Sequence, residues 1–189
     1  MSALAVVVRP LGGVVRLLSG DRSGLALVGA DSRAGWIASF VVPGLLILPA
    51  YLYLSFPSLG DDDDFGAVLL VEAIGYVVGL VAFPVAAHLL CAQWNKTEEW
   101  FDFVPAYNWA GVLQMAIYTP AAALGQSDAL APGALLMLGA LAMAAAVAVQ
   151  YRIGRTVLGI DALQAFGLVA LEFSLGIVLR QVVDRLHGF

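Results

Sequence analysis

Polar or ionisable side chains stand inside long apolar runs of this 189-residue chain at Glu72, His88, Asn108, Gln114, Glu172 and Arg180. An ionised carboxylate surrounded by hydrocarbon is costly unless it is paired, protonated or bound to a cation. Glu172, near the middle of the last apolar run, is therefore a candidate transport carboxyl; its competing use is as a neutral, hydrogen-bonded group that fixes helix register. Glu72 lies about 10 Å into its run by helical rise, and Arg180 reaches a similar depth as its helix leaves the membrane, so the two are expected to pair. His88 and Cys91, at i and i+3, place two soft ligands on one helix face. Two ligands do not complete a zinc site, and no HExxH, GxSxG or P-loop accompanies them, so neither a metal nor a catalytic set is expected. Asn108 and Gln114, close to Tyr107, suit either a small-solute path or hydrogen bonds between helices.

The elements that carry these residues are set by composition. The chain is 61% hydrophobic and 12% charged, with a mean hydropathy of +0.91, well outside the range of water-soluble domains. Its central stretch, 65–124, holds two apolar runs joined by NKTEEW, too short a link to contain a domain. Each run can cross a hydrocarbon layer of about 30 Å, so together they form an antiparallel helical hairpin in the bilayer. The whole reads as an all-α polytopic bundle. An interfacial helix and linker at 1–34 precede a transmembrane domain at 35–189, with five spans at about 35–56, 65–92, 103–124, 132–151 and 161–183.

Along 1–20, Leu4, Val8, Leu11, Val15 and Leu18 follow helical spacing, with Arg9 and Arg16 on another face, as in a cationic helix lying on a membrane. A cleaved or disordered leader is the competing reading, disfavoured because the arginines fall within the apolar run and not ahead of it. Asp31 is the expected cap of the first span, whose Pro43 and Pro49 each remove a backbone donor. Asp61, Asp62, Asp63 and Asp64 form a solvated acidic loop, the last of them able to cap the second helix; hard-cation binding is the alternative, without EF-hand spacing behind it. Gly75 and Gly79 form a GxxxG pair that permits close helix approach, within the chain or to a homodimer or membrane-protein partner. Thr97 or Asp102 is expected to cap the third helix, with Trp94, Trp100, Trp109 and Tyr107 as an aromatic belt. The alanine-rich fourth span is expected in the middle of the bundle. YRIGRTVLGI reads as a link, and Asp161 with Gln164 as a capping box for the last span.

Charge orients the chain and excludes partners. With the N-terminus cytoplasmic, Arg9, Arg16, Arg22, Arg33, Lys96, Arg152 and Arg155 collect on that side against Arg180 and Arg185 on the other, which five spans would also give to the C-terminus. A re-entrant last helix would instead return that pair of arginines to the inside. The nine Lys and Arg are dispersed, which argues against nucleic acid. Cys91 is the one cysteine, so an intrachain disulfide is excluded.

An interfacial N-terminal helix, five short-looped spans, FDFVPAYNW opening the third and YRIGRTVLGIDALQAFGLVALEFSLGIVL in the last part together resemble the bacterial branch of the Yip domain family, over about Trp36 to Leu186. Eukaryotic members of that family interact with Ypt/Rab GTPases in vesicle traffic. The resemblance implies a non-enzymatic scaffold or membrane-organising protein of the bacterial inner membrane, with no cofactor and no catalytic residues to carry over. The long soluble N-terminal region of eukaryotic members has no counterpart in the sequence, which turns the expectation away from GTPase binding. The alternative expectation is a small-solute or ion transporter or channel component that uses Glu172 and Glu72. An intramembrane enzyme ranks behind both, because no nucleophile and base stand in a recognisable arrangement.

Overall fold

A computed structural model describes residues 3–55, 65–125 and 130–187, and among them every regular element is helical. In chain order these are α1 (Ala3–Leu18), a 3-10 turn (Arg22–Gly24), α2 (Leu25–Val28), α3 (Arg33–Ser55), α4 (Phe65–Gln93), α5 (Thr97–Gly125), α6 (Pro132–Leu158) and α7 (Ala162–His187). Four of them, α3, α4, α6 and α7, are each long and apolar enough to cross a membrane, which makes the chain a multi-pass membrane protein. The aspartate run at 61–64, Phe56 at the expected end of the first span and the turn from Gln126 lie largely or wholly outside the described residues.

The centre of the bundle is α5, which packs on α1, α2, α3, α4 and α6. This corrects the expectation for α6. Its first half is mostly exposed, with Leu136, Met137 and Leu141 facing outward, and only its second half enters the core through Val149, Ile153, Val157 and Leu158. Small side chains permit close packing but do not compel it; α5 takes the centre because its polar side chains need protein partners. Nor is YRIGRTVLGI a link. The helix continues to Leu158 because Ile153, Val157 and Leu158 have a core to enter, and it stops where Gly159 turns left-handed (φ 63°) and its N–H returns to Arg155 O at 3.1 Å. The capping box forms as expected, with Gln164 N donating to Asp161 Oδ1 at 2.8 Å and Asp161 N to Gln164 Oε1 at 3.0 Å.

Other local expectations change. Ser32, not Asp31, caps α3, accepting from Gly35 N at 3.1 Å. Thr97 is already helical and Asp102 lies inside α5. Trp109 and Tyr107 are not belt residues: Trp109 is buried in the core and Tyr107 packs against it. The helix α3 runs through both of its prolines. In the turn before Pro49 the Gly44 carbonyl accepts the Tyr76 hydroxyl from α4, and on α4 the Pro84 carbonyl accepts Trp100 Nε1 from α5 at 2.9 Å. Neighbouring helices thus bond to backbone carbonyls close to prolines.

Packing is uneven along the bundle. The links α4–α5 and α6–α7, with α1 and α2, gather at one end, which we term the basic end. The buried core lies in that half, formed by Val14, Leu17, Val28, Phe83, Ala87, Cys91, Phe103, Trp109, Ile153 and Leu168. Among the described residues, few in the other, distal half are buried. At the basic end α1 has two apolar faces. Val14 and Leu17 are fully buried against the bundle, whereas Leu4, Val8 and Val15 from the expected stripe are exposed. The spacing had picked out largely the outward face, and the adjacent one docks on protein.

That docking depends on two glycines at the crossing of α1 with the 3-10 turn: a Cβ on Gly13 would stand 2.8 Å from Gly24 O and 2.9 Å from Val28 Cγ1. Gly13→Val is expected to cost about 1–3 kcal/mol through overpacking. Gly12→Ala, whose Cβ meets nothing within 4 Å, should be neutral or stabilising by a few tenths of a kcal/mol, about the gain from a stiffer unfolded chain. Thermal unfolding in detergent separates the two; equal melting temperatures would mean that α1 is not held against the bundle.

Candidate functional site

Two helix pairs position the polar residues. The first is α4 with α7, where Gly75 brings the backbones together: a Cβ there would lie 2.7 Å from Val183 Cγ2. Glu72 and Arg180 each precede these contact residues by three positions, on the faces of α4 and α7 that meet. Arg180 Nη1 donates to Glu72 Oε1 at 3.2 Å, and the expected pair is formed. Glu72 is fully buried, and Tyr51 from α3 donates to its Oε2 at 2.5 Å. Arg180, its side chain 48% exposed, also holds Asp184 Oδ1 at 2.7 Å through Nε. Gly75 is therefore used within the chain, whereas Gly79 has no neighbour within 4 Å of a Cβ and borders a cavity.

The second pair is α5 with α7, which lack an extensive packed interface and meet through side chains. Tyr107 donates to Glu172 Oε1 at 2.9 Å. The Tyr107 ring is seated against Phe83 and Phe103 at centroid distances of 4.6 Å and 5.8 Å, so the core fixes where its hydroxyl points. Because α7 stands off α5, two cavities open beside it. One, of about 630 Å³, is bordered by Gln114, Met115, Met143, Glu172, Phe173 and Arg180. The other, of about 450 Å³, is bordered by Tyr51, Tyr76, Tyr107, Glu172 and Arg180. Met115, Glu172, Gly176 and Arg180 border both. A further cavity, of about 420 Å³, lies at the basic end, bordered by Arg9, Val28, Asp31, Val42 and Trp109.

Of the residues singled out from the sequence, Glu72, Glu172, Arg180 and Gln114 thus belong to one region. Gln114 borders the larger cavity while its Nε2 donates to Ala146 O on α6 at 3.0 Å. Asn108 serves another purpose: its Nδ2 donates to Ser39 Oγ at 3.3 Å, and that hydroxyl donates to Trp36 O at 2.7 Å, tying α5 to α3. His88 does not join the site; its ring stands edge-on to Trp100 at 4.8 Å near the basic end. Among the described residues no three His, Cys, Asp or Glu side chains are grouped to hold a metal.

Sequence reasoning missed Tyr51, Tyr76, Tyr107 and Asp184. A tyrosine well inside an apolar span carries a hydroxyl that must find an acceptor; Tyr51 and Tyr107 find the two glutamates, a signal present in the sequence, whereas Tyr76 finds the Gly44 carbonyl, which the sequence does not mark. Outside the membrane-spanning segments, Asp21 is held below its ordinary value of 3.8 because Ser23 donates to it twice, from N and from Oγ. Its contribution to folding is therefore present above about pH 4 and lost as the pH falls through its lowered value.

The chain matches no protein-family model, no curated protein and no solved structure.

Burial sets unequal costs for the two partners of the ion pair. Arg180→Leu removes the guanidinium from a fully buried carboxylate that Tyr51 still holds, which should cost about 3 kcal/mol. Glu72→Leu leaves a half-exposed guanidinium that keeps Asp184 and should cost less. The double variant should recover part of the sum, giving a coupling of about 1–3 kcal/mol in a thermal-stability cycle. Additive losses would show that the contact contributes nothing.

Proposed function

We propose that this is a non-enzymatic, five-span protein of the bacterial inner membrane whose working part is the distal cleft between α5 and α7, used as a small-solute or ligand site of a transporter or channel component. The observation that carries this reading is the convergence of Glu172, Gln114 and Arg180 on the same cavity of about 630 Å³. Polar side chains in a membrane bundle are expensive, and those that share a cavity mark ligand paths more often than scattered ones do.

The fifth crossing is α5. Its 29 residues extend about 43 Å by helical rise, enough for the hydrocarbon layer. Its lower hydropathy follows from Asn108 and Gln114, both hydrogen-bonded to neighbouring helices and not turned to lipid. The basic end faces the cytoplasm in this reading, since it carries Arg9, Arg16, Arg22, Arg33, Lys96, Arg152 and Arg155.

A second reading, the Yip-like scaffold, is favoured by α1. The helix presents Leu4, Val8 and Val15 outward beside exposed Arg9 and Arg16, a surface suited to an anionic leaflet. A scaffold would need no cavity.

Topology and transport are tested separately. In a Cys91→Ser background, Lys96→Cys and Leu130→Cys should react with an impermeant maleimide from opposite sides of sealed vesicles; labelling from one side would remove the α5 crossing. In reconstituted vesicles the wild type should carry a flux of protons, cations or small solutes that falls at least about tenfold in Glu172→Gln, a loss of about 1.4 kcal/mol or more. A wild-type flux equal to that of empty vesicles would leave the scaffold reading in its place.

A further inference from the structure

We propose that the larger cavity is a binding site for a lipophilic cation, an apolar molecule bearing an ammonium or equivalent charge, with Glu172 as its counter-ion. This rests on the reading of the cleft as a ligand site and goes beyond it by naming the ligand's chemistry.

Size and lining come first. About 630 Å³ matches the volume of sites for small organic molecules. Most of the wall is apolar, with Ile47, Met115, Met143, Phe173 and Ile177, so the body of the ligand must be apolar too. Thioethers adapt to irregular shapes, and Phe173 with Tyr118 offers ring faces that attract cations.

Charge then selects the sign. Arg180, the guanidinium bordering this cavity, is already matched by Glu72 at 3.2 Å and Asp184 at 2.7 Å. An anionic ligand would have to compete with both carboxylates and approach Glu172 as well. Glu172 itself receives one donor, the Tyr107 hydroxyl on Oε1, and no other hydrogen bond from the described residues. Counting Glu72, Asp184 and Glu172 against Arg180, the fixed side chains leave room for positive charge when all are ionised. A neutral ligand could donate to this carboxylate, as Tyr107 does, but would leave its charge uncompensated.

Depth decides between sources of that cation. Glu172 stands ten residues into α7, about 15 Å from its start by helical rise. A phospholipid's ammonium group stays at the headgroup level, so the fitting molecule is a free lipophilic cation that enters the hydrocarbon layer whole.

The full chain in lipid nanodiscs is titrated with tetraphenylphosphonium and with its isosteric anion tetraphenylborate, over wild type, Glu172→Gln and Gly176→Leu. Gln can still accept from Tyr107, so the first variant removes the charge and keeps the hydrogen bond. Gly176 borders both cavities and a Cβ there meets nothing within 4 Å, so the second variant fills the space and leaves Glu172 in place. Saturable binding of the cation, with the anion at least about tenfold weaker and with at least tenfold losses in both variants, is the expected result. Equal binding of cation and anion, or cation binding that Glu172→Gln leaves unchanged, overturns the counter-ion role; if Gly176→Leu still abolishes binding, the cleft remains a ligand site. Binding of neither probe, or binding that both variants leave intact, overturns the site and the cation together.

Discussion

Hydrocarbon offers no hydrogen bonds, and that single constraint explains most of what this chain does with its polar groups. Several of them are met by another helix, although Gln150, Trp36 Nε1 and Thr119 Oγ1 are buried with no hydrogen-bond partner among the described residues. Tyr76 reaches the Gly44 carbonyl, Trp100 the Pro84 carbonyl, Gln114 the Ala146 carbonyl, and Asn108 the Ser39 hydroxyl. These bonds link α3 with α4, α4 with α5, α5 with α6 and α5 with α3, so the same requirement that removes unmet groups also chooses neighbours. The apolar side chains could be satisfied equally well by lipid. Helix order in the bundle therefore owes more to a few amides, hydroxyls and carbonyls than to the many leucines and valines around them.

The two glutamates illustrate how different solutions arise from one problem. Glu72 is neutralised by Arg180 and held by Tyr51, an arrangement complete in itself and buried. Glu172 has a tyrosine in place of an arginine and borders open volume. A carboxylate with a full set of partners braces helices; one with a partial set is available for something else. Depth adds to the contrast, since Arg180 lies far enough along α7 to be half exposed while Glu172 remains near the middle.

Much of this architecture was legible in the residues. The apolar runs gave the helices that can cross a membrane, Asp161 and Gln164 gave a helix start, and helical rise alone matched Glu72 with Arg180. What could not be read is which helix takes the centre. Alanine content pointed to α6, but small residues act only where a partner arrives, and the partner was decided by the polar groups of α5. The docked face of α1 was hidden for a related reason: Val14 and Leu17 look no different in sequence from lipid-facing residues, because protein and hydrocarbon reward the same side chains. Tyr107 was read as a surface aromatic because its ring fits a belt; its hydroxyl, seeking an acid, overrode that preference.

The links at the basic end, three residues each, and the dense core beside them tie four helices together in one half of the molecule, while α7 stands off α5 in the other. Among the described residues, the cavities of about 630 Å³ and 450 Å³ therefore lie beside α7 and away from the links. Because Met115, Glu172, Gly176 and Arg180 border both, a change in the volume of one cavity would be felt in the wall of the other.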